Sequence, residues 1–119
     1  MSDAKIKISS LSGVDKGQTV AISGQLDETN IDAESKKIYE VIEKGGAGLK
    51  LHFDLKGLTY MNSKSVGYLA DWHGKVTKAK GKMVISGATD NITDILNVVG
   101  LSNIIDVFET AEEAKKALK

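Results

Sequence analysis

From residue 31 onward the apolar residues of this chain switch repeatedly between the spacing of a helix and the spacing of a strand. Ile31, Ile38, Val41 and Ile42 fall on one helical face, and Leu49, Leu51, Phe53 and Leu55 then alternate as in a strand. Val66, Leu69, Ala70, His73 and Val76 mark another helical stripe, followed by the short apolar run Met83-Val84-Ile85. Ile92, Ile95, Leu96 and Val99 repeat the helical spacing, and Ile104 to Phe108 reads as the last strand. Such alternation implies parallel strand pairs joined by crossover helices.

Two strands precede this region: Lys5 to Ser9, with Ile6 and Ile8 alternating, and Gln18 to Ser23, with Val20 and Ile22. Their short connection suits an antiparallel pair. Asp27 to Asn30 supply capping residues for a helix over 31–44, which carries Asp32 and Glu34 in its first turn, where the dipole favours carboxylates. Proline is absent, so Gly45, Gly46, Gly81 and Gly100 are left to end the elements. A second helix is expected from Ser63 or Ser65 to Lys80, and a third over 90–99. Thr110-Ala111-Glu112-Glu113 has the form of a capping box and opens a last helix. The expected fold is α/β: a mixed, mostly parallel sheet of four or five strands, with helices chiefly on one face, in one domain over 1–119.

Composition narrows the function. All sixteen basic residues are lysines, balanced by sixteen acids. Without a basic excess, and without arginine's bidentate grip on phosphate and guanine, nucleic-acid binding is not expected. The absence of cysteine removes disulfides, thiolate metal sites and cysteine nucleophiles. No apolar run follows Met1-Ser2-Asp3-Ala4-Lys5, and no stretch reaches the ~20 apolar residues of a membrane span. Neither a signal peptide nor membrane insertion is expected, and the cytoplasm is the default location. His52 and His73 lack metal-ligand spacing and are read as structural. No Gly-x-Ser-x-Gly elbow and no Gly-x-x-x-x-Gly-Lys-[Ser/Thr] loop is present, so neither a hydrolase nor a nucleotide-binding enzyme is expected, nor any cofactor.

The stretch Asp54-Leu55-Lys56-Gly57-Leu58-Thr59-Tyr60-Met61-Asn62-Ser63-Lys64-Ser65-Val66-Gly67 reads as the end of a strand over Leu49 to Leu55, a tight turn that carries two serines, and a helix start. Helix starts accept phosphate. Ser63 fits both a plain helix N-cap and a phosphoacceptor, and Ser65 is the second candidate. Asn62 is placed to hydrogen-bond its own turn. Lys64 fits either a phosphate partner or a solvated lysine, and Asp27 either a loop cap or a surface contact. Tyr60 and Met61 are expected to pack beneath the turn. Lys75, Lys78, Lys80 and Lys82 read as a solvated helix C-terminus. Trp72 falls beside the inner stripe, open to a role as partner anchor or as core edge.

Four segments carry a family resemblance in order along 5–117. Met61-Asn62-Ser63-Lys64-Ser65-Val66-Gly67 resembles the Met/Ile-Asp-Ser-[Ser/Thr/Ala]-Gly-Leu-Gly segment of the anti-sigma factor antagonists, in the bacterial STAS-domain family. Gly24-Gln25-Leu26-Asp27 is similar to that family's Gly-Glu-Leu-Asp. Gly81-Lys82-Met83-Val84-Ile85 is similar to its Gly-Gly-x-hydrophobic strand, and Gly100-Leu101-Ser102-Asn103-Ile104-Ile105 to its Gly-Leu-x-x-Ile turn. The resemblance implies a non-enzymatic module, monomeric or weakly dimeric, in a partner switch. The unphosphorylated form binds a serine kinase/anti-sigma factor, that kinase phosphorylates the serine at Ser63, and a metal-dependent PP2C-type phosphatase reverses it. Asp27, Asn62, Ser63, Lys64 and Ser65 are then the expected partner-binding residues. The chain departs from the family segment at Asn62, Lys64 and Ser65. Those departures keep a second reading open, a STAS docking subunit of an ABC-type transport or other assembly that works without phosphorylation.

Overall fold

A computed structural model describes residues 3–119. Its five strands lie in one sheet in chain order: β1 (Ala4–Ser10), β2 (Gly17–Leu26), β3 (Lys50–Met61), β4 (Lys82–Ser86) and β5 (Asp106–Phe108). The first pair is antiparallel and the other three are parallel. Helices α1 (Ile31–Gly45), α2 (Ser63–Lys78) and α3 (Asp90–Val98) make the crossovers, and α4 (Ala111–Leu118) closes the chain.

The placement of the helices follows from this order. Each crossover steps one strand further in the same direction, and parallel crossovers are right-handed. All three therefore fall on one face, where the buried residues of α1, α2 and α3 join Leu51, Phe53, Leu55, Met83 and Ile85 in one core. Helix α4 follows the last strand and is free of that constraint. It covers the other face, packing Ala114 and Leu118 on Val14 and Val84. Val84 points there because successive strand residues face opposite ways.

The expected α/β architecture is the observed one, with several strand boundaries displaced. Strand β3 does not end at Leu55 but runs on to Met61, paired through two register shifts with β2, which itself continues past Ser23 to Leu26. Gly57 serves close approach: a Cβ there would lie 2.7 Å from that of Ser23. Gly24 on β2, which pairs with Leu58, has φ +90, and its Cβ would meet the Asp3 carbonyl oxygen at 2.1 Å. Gly57 is demanded by the crowding of β3 on β2 where their ladder shifts, and Gly24 by its left-handed backbone and the close approach of the chain entering β1. Before the last strand, residues 101–103 form a 3-10 turn, and β5 starts only at Asp106 rather than at Ile104. Ile105 is buried and Ile104 is 58% exposed.

Trp72 lies inside the core, not beside it. It is 1% exposed and stacks on Phe53, ring centroids 5.6 Å apart and planes 2° from parallel. The reading of Trp72 as a partner anchor is thereby corrected, because no indole surface is left to offer. Tyr60 is corrected in the other direction: it is 43% exposed, whereas Met61 is buried as expected.

His52 is buried on the α4 side of the sheet. Its Nε2 lies 2.6 Å from Ser86 Oγ and its Nδ1 3.2 Å from Thr19 Oγ1. Burial holds its pKa below the ordinary 6.5, against the opposing pull of Asp54. A histidine that resists protonation in the folded state favours unfolding in acid, because the unfolded chain binds the extra proton. Its contribution is complete above about pH 6.5 and declines as pH falls below that value. The urea midpoint is expected to drop from pH 7 to pH 5, and His52→Asn should flatten that slope, read by circular dichroism.

Candidate functional site

The C-terminal ends of β2 and β3 bring the starts of α1 and α2 side by side. At the end of β3 the Asn62 amide donates to Leu26 O at 3.1 Å, tying the two strand ends together. Asn62 is the N-cap of α2: its Oδ1 accepts from the Ser65 amide at 2.9 Å and from Ser65 Oγ at 2.7 Å. A cap at Asn62 makes Ser63 the first helical residue, so Ser63 is not the N-cap that its sequence position allowed. Its side chain is exposed and takes part in no hydrogen bond among the described residues. The amides of Ser63 and Lys64 also have no acceptor there, as expected for the first turn of a helix. Ser65, by contrast, is fully buried. No part of it is open to a kinase or a partner in this fold.

The charges around Ser63 differ from those its sequence neighbours imply. Asn62 brings no carboxylate of its own, yet its Nδ2 donates to Glu28 Oε2 at 3.0 Å. A carboxylate thus stands beside the turn after all, contributed by the loop before α1. Lys64 is not merely solvated: its Nζ pairs with Asp32 Oδ2 on α1 at 3.0 Å. Tyr68 OH donates to the other oxygen, Asp32 Oδ1, at 2.6 Å. The Tyr68 hydrogen bond, and then Lys64, hold the Asp32 carboxyl below its ordinary value, and Asp32 in turn raises the Lys64 ammonium. Both groups are exposed, so the pair adds little to stability. Its consequence is geometric: the lysine is held toward α1.

Asp27 is buried. Its Oδ1 accepts from the Thr29 amide at 2.9 Å and its carbonyl from the amides of Asn30 and Ile31. Asn30 does not cap α1 with its side chain. It braces the loop, accepting from the Asp27 amide and donating to Gln25 O. This loop sets the height at which Glu28 meets Asn62.

Among the described residues no group of three or more His, Cys, Asp or Glu is placed to hold a metal ion. No helix among them is long and apolar enough to cross a membrane. His52 lies on the face of the sheet opposite α2, and His73 lies about three turns along α2 from Ser63.

Comparison with known proteins places the fold. The STAS domain family model matches residues 10–114. The chain belongs to the STAS domain family. The anti-sigma-B factor antagonist of Bacillus subtilis is 25% identical over 93 residues, which are 78% of this chain and 83% of that protein. The crystal structure of an anti-sigma factor antagonist from Mycobacterium paratuberculosis superposes with a TM-score of 0.85 at 19% identity, covering 98% of this chain and 94% of that one. The STAS domain of a SulP transporter from Vibrio cholerae superposes with a TM-score of 0.64 at 21% identity, covering 71% and 70%. In this STAS chain the segment 61–67 is the end of β3 and the first turn of α2.

The cap carries a measurable share of that turn. Asn62→Ala removes the acceptor for the Ser65 amide and leaves the buried Ser65 hydroxyl without its partner. A loss of about 2 kcal/mol is expected, measured by urea unfolding. Asn62→Asp keeps the cap and should restore most of the stability.

Proposed function

We propose that this STAS chain is an anti-sigma factor antagonist of the cytoplasm that acts by binding, without catalysis of its own. It binds a serine kinase/anti-sigma factor, and phosphorylation of Ser63 lowers that affinity. The observation that carries the reading is the division of labour in the first turn of α2. Asn62 caps the helix and Ser65 is buried against it, which leaves the Ser63 hydroxyl exposed and uncommitted. The kinase transfers the γ-phosphoryl group of its bound nucleoside triphosphate to Ser63 Oγ. The hydroxyl proton passes to a base on the kinase, and the diphosphate leaves. The product carries about −1.5 to −2 charges at pH 7, next to the positive end of α2 and its free first-turn amides. A PP2C-type phosphatase returns the hydroxyl. Relatives named as anti-sigma-B factor antagonists over most of their length support the same role.

The test is mass spectrometry of the protein isolated from its own cells across growth conditions. Phosphate is expected on Ser63 and not on Ser65. Finding no phosphate under any condition overturns the switch. It would favour the docking reading, a STAS subunit of a transport assembly, which the SulP domain's fold and the departures at Asn62, Lys64 and Ser65 support. Genes for an ABC transporter beside this one would favour it further.

A further inference from the structure

Strand β1 ends the sheet and pairs only with β2, over seven residues in unbroken register. The register shifts of the sheet lie elsewhere, between β2 and β3. Among the described residues the outer edge of β1 has no strand beside it. Ile6 and Ile8 are paired with Ile22 and Val20, both core residues of the helix-covered face. Helix α1 crosses from β2 to β3 and stops short of β1, so Ile8 remains 39% exposed. The gap between α1 and β1 is a groove of about 460 Å³. Ile8, Val41 and Leu49 supply its apolar surface, and Lys16, Lys37 and Lys44 stand around it, with Glu40 the acid among them. On the opposite face of the same strand Lys5 and Lys7 are exposed.

An unpaired regular edge beside an apolar groove is the arrangement that accepts an extended peptide as an added strand. Alternate side chains of such a strand would lie over the groove, and the remainder beside Lys5 and Lys7. A second copy of this chain does not suit the edge, because β1 against β1 brings lysine toward lysine, and like charges across a pair are unfavourable. Lysines on an edge strand also discourage self-pairing. We propose that the β1 edge and the groove beneath it form a second docking surface, whose occupant is an extended segment of a partner protein that alternates apolar and acidic residues. The groove lies at the start of β2 and β3 and the end of α1, whereas Ser63 follows the end of β3. Binding here is therefore independent of the state of Ser63.

The probe is a capped synthetic peptide of alternating valine and glutamate, titrated into the 15N-labelled full chain. Saturable amide shifts are expected over residues 4–10 and 37–49, and not at 62–66. The same peptide with alternate backbone amides N-methylated should fail, and so should its valine–lysine counterpart. Lys7→Glu should weaken binding about fivefold, and Ile8→Ser should weaken it comparably. Both residues are exposed, so the unperturbed remainder of each spectrum certifies the fold. No saturable shift at millimolar peptide overturns the proposal, as does equal binding of the lysine peptide or a shift pattern centred on Ser63. A dimer of the chain itself through β1, seen as dilution-dependent shifts of those amides, overturns it too.

Discussion

Ser63→Asp is expected to weaken binding of the kinase/anti-sigma partner by at least about a hundredfold, while Ser63→Ala leaves it near the wild-type value. The size follows from burial. An exposed serine hydroxyl is desolvated against a partner at little expense, whereas an unpaired carboxylate enclosed there costs about 3 kcal/mol or more, and 1.4 kcal/mol is tenfold in affinity. The same substitution should not harm the protein itself. A carboxylate at the first position of α2 meets the positive end of the helix, which is worth up to about 1 kcal/mol in its favour. Calorimetric titration of the partner, with a urea melt of each variant beside it, reads both effects. Equal affinity of Ser63→Asp and wild type would sink the switch. Ser65→Asp is the contrasting variant: it forces a charge into a buried position beside Asn62 Oδ1. Its melt should fail first, so any loss of partner binding there reports unfolding and not signalling.

The largest loss of stability is expected at Trp72. Trp72→Ala should cost about 3–5 kcal/mol, a large share of the 5–15 kcal/mol that holds an ordinary domain. The indole joins α2 to β3 by stacking on Phe53, and Tyr68 lies on it at 6.1 Å. Removing it opens a void at the centre of the helix-covered face. Its Nε1, however, is buried without a hydrogen-bond partner among the described residues, and an unsatisfied buried donor is itself unfavourable by about 1–3 kcal/mol. Trp72→Phe removes that donor along with part of the ring. Its cost should therefore be well below that of the alanine variant. Urea unfolding followed by circular dichroism separates the two, since the tryptophan signal is lost in both. Partner affinity should be unchanged in the folded Trp72→Phe protein, because the ring touches only the chain's own core.

Much of the fold was legible in the residues. The start of α1, the whole of β4, the start of α3 and the capping box of α4 stand where their periodicity, caps and glycines put them. Local rules suffice when a segment's own pattern decides its state. They misled after Leu55, where the strand was expected to end but continues, because Gly57 permits β2 and β3 to approach closely. They misled at Trp72 as well, because a position beside an apolar stripe is solvent or core according to what docks there, and here Phe53 docks there.

At the site the division is sharper. The sequence by itself determined that a helix begins near Ser63 and that two serines lie in its first turn. Which residue caps, which is buried and which faces solvent was decided only in three dimensions. Asn62, Ser63 and Ser65 compete for the same few amides within one turn, and the path of β3 up to Met61 selects among them. The charges were decided even further away. Glu28, Asp32 and Tyr68 reach this turn, or one another, through hydrogen bonds that span 32 to 36 residues, and these exist only because α1 and α2 start side by side at the same end of the sheet. Periodicity reports what one segment buries. It carries no record of which side chain from another segment will arrive beside it.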